Sequence, residues 1–211
     1  MVQLEALLFG QAGFLEAKPA DDYQLKLKEE YVFLQNKFKL KPIEKHLWKF
    51  LRLRPSNFPT IRIAQLAYLL HHSSNIVDSI LSFKNIDDYF NLFNVKTSEY
   101  WETHYGFGVE SKQKVKQLGR QSVERIISNA VVPFIFTYGK MRSNEELQEK
   151  ALILLESLTP ENNAIIEEWA DAGIKAENAF FSQALLQLKQ SYCDKQKCLS
   201  CFIGSRMFIE K

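Results

Sequence analysis

Apolar positions along this chain recur at steps of three and four, the period of helices that each bury one face. Leu4, Leu7, Leu8 and Phe9 begin such a stretch almost at the first residue. Tyr23, Leu27, Tyr31, Leu34 and Phe38 form the next stripe, behind Asp21 and Asp22 as capping candidates. Ser56-Asn57-Phe58-Pro59 reads as a cap followed by a first-turn proline, ahead of a stripe of Ile63, Leu66, Ala67 and Leu70. Asp87-Asp88 predicts the start of a short helix, and Val115, Leu118, Ser122 and Ile126 predict another after Ser111. Pro133 is expected to kink or restart a helix running to Tyr138, with Gly139 as its stop. Ser143-Asn144-Glu145-Glu146 has the capping-box pattern before Leu147, Ala151, Leu154, Leu155 and Leu158. Thr159-Pro160 is expected to open a helix carrying Ile165, Ile166 and Trp169 and ending near Gly173, and residues 176–191 form the last long one.

Strand signals are weak. Leu47 to Leu53 alternates, but it lacks β-branched residues and runs into Arg54-Pro55, which predicts an extended exit rather than a sheet. Residues 206–209 are a candidate for brief strand pairing. The pattern predicts one all-α domain over residues 1–211, with roughly eight or nine helices and helix pairs in its second half that suit a helical repeat.

Composition narrows the class. Apolar residues make up 46% and charged residues 25% of the 211, ordinary for a globular domain. Sixteen Phe, eight Tyr and three Trp predict a ring-filled core, while eight Gly and six Pro are too few for a turn-rich barrel. The longest apolar run, Ala130 to Phe136, is far too short to span a membrane, and Glu5 interrupts the N-terminal one. An odd cysteine count favours a reducing compartment, and the expectation is cytoplasmic. The net charge of +2 hides segregation: Lys37, Lys39, Lys41, Lys45, Lys49, Arg52, Arg54 and Arg62 face only Glu44 within residues 37–62, a local charge of +7. Residues 143–177 carry −7.

Two constellations carry candidate chemistry. All three cysteines fall near the C-terminal end, at Cys193, Cys198 and Cys201. The C-x4-C-x2-C spacing suits an iron–sulfur cluster, and its C-x2-C half suits zinc. Lys195 and Lys197 favour the thiolate, but a closed site needs a fourth ligand, from a histidine, Asp194 or another domain. A thiol pair is the other reading. Around Arg54-Pro55, Asn57 is expected to cap a helix whose free amides sit beside Arg52, Arg54 and Arg62, an arrangement suited to a phosphate. Lys49 and Trp48 extend it towards nucleic acid, where phosphates pair with cations and bases stack on rings. The alternative is that these arginines pair with carboxylates of the acidic half. The chain has no phosphate loop, no His-Glu-x-x-His and no Gly-x-Ser-x-Gly. Independent catalysis is not expected of it.

Three blocks, Leu4 to Gly13, Trp48 to Arg62 and the Cys193 to Gly204 tail, resemble the C-terminal half of a bacterial family known as domain-of-unknown-function family 2851. The resemblance runs over nearly the whole chain and implies a longer protein, with an upstream half faintly similar to restriction-type nucleases. It implies no established activity. The leading expectation is a helical accessory domain that binds an upstream domain or another protein, and nucleic acid through Lys37–Arg62. The rivals are the non-catalytic positioning half of a nuclease-like hydrolase and a metal-binding scaffold. No membrane contact is expected.

Overall fold

The computed structural model describes residues 1–209, with side chains through Arg206. The chain is all-α apart from one small hairpin, and it divides into two compact units. The first takes residues 1–79 and 87–120; the second takes 80–86 and the chain from Gln121 onward.

In the first unit, helix α1 (Val2–Gln11) packs on α2 (Asp22–Phe38) and on α3 (Pro59–His72). Asp21 caps α2, its Oδ1 accepting from Gln24 N at 2.7 Å, as the sequence predicts. Single turns of 3-10 helix at Lys45–Leu47 and Pro55–Asn57 punctuate an otherwise irregular stretch between α2 and α3. Leu47 to Leu53 forms no strand, and Arg54 is extended before its proline. Short helices α4 (Ile76–Ser82), α5 (Ile86–Leu92) and α6 (Glu99–Glu102) follow. Strands β1 (His104–Gly106) and β2 (Val109–Glu110) then pair antiparallel, His104 opposite Glu110 and Gly106 opposite Val109, with an irregularity between.

The core of this unit is aromatic. Phe9 stacks on Trp101 at 4.9 Å and meets Phe14 and Phe107 edge-on. Trp48, Phe50, Phe58 and Tyr105 pack around it. Gly10 lets α1 lie directly on the Tyr31 ring of α2: a methyl there would come within 2.1 Å of Tyr31 Cδ2. The stripe of α3 differs from the expected one. Thr60, Ile61, Ile63, Ala64, Gln65 and Ala67 are buried, whereas Leu66 and Leu70 are exposed. Two polar side chains hold their neighbours on the buried face: Thr60 Oγ1 donates to Tyr105 O at 2.6 Å and Gln65 Nε2 to Lys116 O at 3.1 Å.

In the second unit, α7 (Arg120–Ile126) passes into a π turn at Ile127–Val131 and then α8 (Val132–Met141). Helix α7 begins later than the pattern from Ser111 implied, because 111–119 is spent wrapping Lys116 into the first unit. Pro133 restarts the helix as expected, but Gly139 does not stop it. Gly139 is buried and lets the start of α9 approach, a methyl there falling 3.0 Å from Asn144 O. Helix α9 (Glu145–Glu156) packs on α8, and α10 (Ala164–Asp171) packs on α11 (Ala179–Leu188). Asparagines cap all three later helices: Asn144, Asn163 and Asn178 accept from Leu147 N, Ile166 N and Phe181 N at 3.0, 3.1 and 3.1 Å. Thr159-Pro160 therefore does not open α10, since Asn163 supplies the cap four residues after Thr159. The chain closes with a π turn at Lys189–Cys193, a 3-10 turn at Cys198–Ser200 and helix α12 (Phe202–Ile209). The brief strand expected over 206–209 is helix instead.

Candidate anion-binding surface

The basic stretch of the first unit lies at the surface. Lys37, Lys39, Lys41, Lys45, Lys49, Arg52 and Arg54 are all exposed. Among the described residues, no carboxylate stands within ion-pair distance of these seven; Glu44, the one acid in the stretch, contacts His46 Nδ1 at 3.0 Å. Apolar side chains stand exposed among the cations: Phe33 at 60%, Phe38 at 57% and Leu51 at 90%. Lys37 Nζ sits over both phenylalanine rings, 5.9 Å from Phe33 and 5.1 Å from Phe38. Lys39 and Arg52 hold left-handed backbone angles, φ 53° and 63°.

The predicted site residues separate into two groups. Lys49, Arg52 and Arg54 point outward, as an anion contact requires. Trp48 is turned inward: its Nε1 donates to Ala12 O at 2.8 Å and its ring lies 5.9 Å from Phe14. It anchors the segment, and the exposed rings are instead Phe33 and Phe38 of α2, neither of them in the expected set. Asn57 does not cap α3. The N-cap of that helix is Phe58, which makes no side-chain cap bond, and Asn57 Oδ1 instead accepts from Arg62 Nη2 at 2.7 Å. Arg62 Nη1 donates to Gln65 Oε1 at 2.9 Å, and burial lowers the pKa of this half-buried guanidinium. Arg62 is thus built into the fold at one edge of the exposed cations.

Of the polar network beneath the surface, only the Asp21 cap and the interruption of an apolar run by Glu5 had a sequence signal. Glu5 on α1 is fully buried, taking a short hydrogen bond from Tyr23 OH and one of 2.8 Å from Ser98 Oγ. Burial raises its carboxyl above the ordinary range, against the lowering effect of those two bonds. Asp21 goes the other way: partial burial pulls it up, but Tyr100 OH and the amides of Gln24 and Gly108 outweigh that and hold it low. The Tyr100 ring lies between Tyr23 and His104, both at 4.1 Å. Lys116 is buried as well. Its ammonium donates to the carbonyls of Trp101, Glu102 and His104, the latter two at 3.0 Å, and stands 4.1 Å from the Tyr105 ring. These groups tie α1, α2 and the hairpin together, and each polar end is consumed doing so.

The second unit holds a cavity of about 180 Å³ beside the π turn, lined by Glu124, Ser128, Thr159 and Glu161. Its carboxylates are engaged: Thr159 Oγ1 donates to Glu124 at 2.9 Å and Gln183 Nε2 to Glu161 at 2.7 Å. Cys193 and Cys198 are exposed and Cys201 is buried. Among the described residues no three His, Cys, Asp or Glu side chains gather as a metal site. Among the described residues, too, no helix is long and apolar enough to cross a membrane.

No curated protein and no solved structure matches the chain. A family profile described as "Protein of unknown function (DUF2851)" matches residues 1–164. The match takes in the Leu4 to Gly13 and Trp48 to Arg62 blocks and stops before the cysteine tail. It therefore runs over the N-terminal and larger part of the chain rather than nearly all of it. With most of its residues inside that match, the chain belongs to the family Protein of unknown function (DUF2851).

Proposed function

We propose that this chain is a helical accessory domain that contacts single-stranded nucleic acid through the exposed cations between Lys37 and Arg54. The observation that carries the reading is the set of seven exposed cationic side chains with no carboxylate at ion-pair distance among the described residues. A polyanion is the partner that such a surface lacks, because its phosphates pair with the cations and release condensed counterions. The exposed Phe33 and Phe38 rings, set among Lys37 and Lys39, favour unpaired bases over duplex, since an unstacked base offers its face to a ring.

Salt dependence of oligonucleotide binding tests it. Each neutralised phosphate of a single strand contributes about 0.7 to the slope of log K against log salt. Lys49→Ala with Arg52→Ala and Arg54→Ala should therefore flatten that slope by about 2, with helical content unchanged by circular dichroism. Phe33→Ala with Phe38→Ala should weaken binding while leaving the slope alone. Absence of binding to a labelled oligonucleotide at low salt, or an unaltered slope in the triple variant, overturns the proposal.

A further inference from the structure

Cys198 and Cys201 lie in one tight turn. The backbone N of Cys201 donates to Cys198 O at 3.2 Å, closing the 3-10 turn Cys198–Ser200. An i to i+3 bond of this kind holds the two Cα atoms within about 7 Å, which overlaps the roughly 4.4–6.8 Å that a disulfide spans. The first turn of α12 is folded onto the same place. A methyl at Gly204 would meet Cys198 O at 2.6 Å and Cys198 Cα at 3.1 Å, so the helix lies against Cys198 only because residue 204 has no side chain. Cys201 stands immediately before that helix, and its carbonyl accepts from Ser205 N at 2.8 Å. The two thiols also differ in access, Cys198 being exposed and Cys201 buried. Cys193 belongs to a separate π turn.

We infer that Cys198 and Cys201 form a reversible dithiol–disulfide pair, with Cys198 as the attacking thiol and Cys201 as the resolving one. The co-reactant is a small-molecule disulfide such as oxidised glutathione. The Cys198 thiolate attacks one of its sulfurs, forming a mixed disulfide and releasing one thiolate. The Cys201 thiol then loses its proton to solvent and attacks the Cys198 sulfur, forming the intramolecular bond and releasing the second thiolate. Two protein thiols are oxidised while one disulfide is reduced to two thiols, and the reverse sequence restores the dithiol. Access sets the order, because a buried thiol is poorly placed to meet the first reagent and well placed to resolve a neighbour.

The test equilibrates the full chain in glutathione redox buffers, traps free thiols by alkylation and maps the peptides by mass. The expected product is a Cys198–Cys201 disulfide with Cys193 alkylated. Cys201→Ser should leave Cys198 as a stable glutathione mixed disulfide, and Cys193→Ser should leave the pair intact. Gly204→Val, which pushes α12 off Cys198, should lower the oxidation equilibrium constant about tenfold. A disulfide that uses Cys193, or Cys198 and Cys201 both remaining alkylated across the buffer range, overturns the inference. So does a wild-type chain that stops at the mixed disulfide.

Discussion

Replacing Gly10 by alanine should change the sign of its effect with the residue opposite it. The new methyl would stand 2.1 Å from Tyr31 Cδ2 and 2.2 Å from Cγ, whereas carbon atoms pack at about 3.5–4.0 Å. The ring cannot swing aside: Tyr31 is 4% exposed and its hydroxyl accepts from Gln11 Nε2 at 2.7 Å. The two helices must instead part by well over an ångström. Overpacking costs about 1–3 kcal/mol, and a backbone shift of this size belongs at the upper end. Alanine returns about 1 kcal/mol in helix propensity, leaving a net loss of about 2 kcal/mol. In a Tyr31→Ala background the clash is gone and only propensity remains, so Gly10→Ala should stabilise by about 1 kcal/mol. Urea unfolding of the four proteins, with m held constant, measures both numbers. A neutral or stabilising Gly10→Ala in the native background refutes the account, as does the same sign in both.

Glu5→Gln should change how stability depends on pH. Burial raises the Glu5 pKa, so the fold favours the protonated acid; that contribution is present below the unfolded carboxyl range and is lost as pH rises through the folded value. The variant should accordingly gain on the wild type as pH rises from the unfolded carboxyl range through the raised folded value, and parallel stability curves would refute this. Lys116→Met keeps the apolar stem but orphans the carbonyls of Trp101, Glu102 and His104, and should cost about 2–4 kcal/mol in chemical denaturation. Arg52→Gly removes a side chain from a left-handed position and should stabilise by about 0.5–1 kcal/mol while weakening oligonucleotide binding at low salt. A stabilised variant with unchanged affinity would take Arg52 out of the contact.

Helices with a clear apolar stripe and a side-chain cap were legible from residues alone. Asp21 shows why, since a cap is a local event read from adjacent positions; at α9 the capping-box pattern points to Ser143, and Asn144, one residue on, is the cap instead. Asn163 and Asn178 carried the same signal, and the more conspicuous proline at 160 drew the predicted start of α10 forward. Asn57 failed for a different reason. Its neighbour five residues on, Arg62, competes for the same oxygen, and a charged donor outbids a backbone amide there. The stripe of α3 was misplaced because two of its buried positions are polar. Thr60 and Gln65 are admitted to the interior by bonds to Tyr105 and Lys116, 45 and 51 residues away, which no periodicity can register. The burial of Glu5 and Lys116 is hidden in the same way: Glu5 is held by Ser98, 93 residues on, and Lys116 by carbonyls 12, 14 and 15 residues back.

The segment between α2 and α3 has little regular structure, yet its cations are not on a loose loop. Ile43 N donates to Gln11 O at 2.8 Å, Trp48 Nε1 donates to Ala12 O, and Phe50 and Phe58 meet edge-on at 5.2 Å inside the aromatic core. Between these anchors Lys45, Lys49, Arg52 and Arg54 face solvent. The aromatic and basic residues that read in sequence as one mixed patch are therefore two faces of one strap, the rings turned in and the charges turned out. Holding the backbone in this way reduces what a ligand must spend on ordering the loop, leaving mainly the side chains to be immobilised. It also explains why a left-handed angle persists at Arg52 without glycine, since anchors on either side over-determine the path, whereas Lys39 takes its left-handed angle as the C-cap of α2. For the contact proposed above, cations spread along the chain in this way suit an extended polyanion better than a small one.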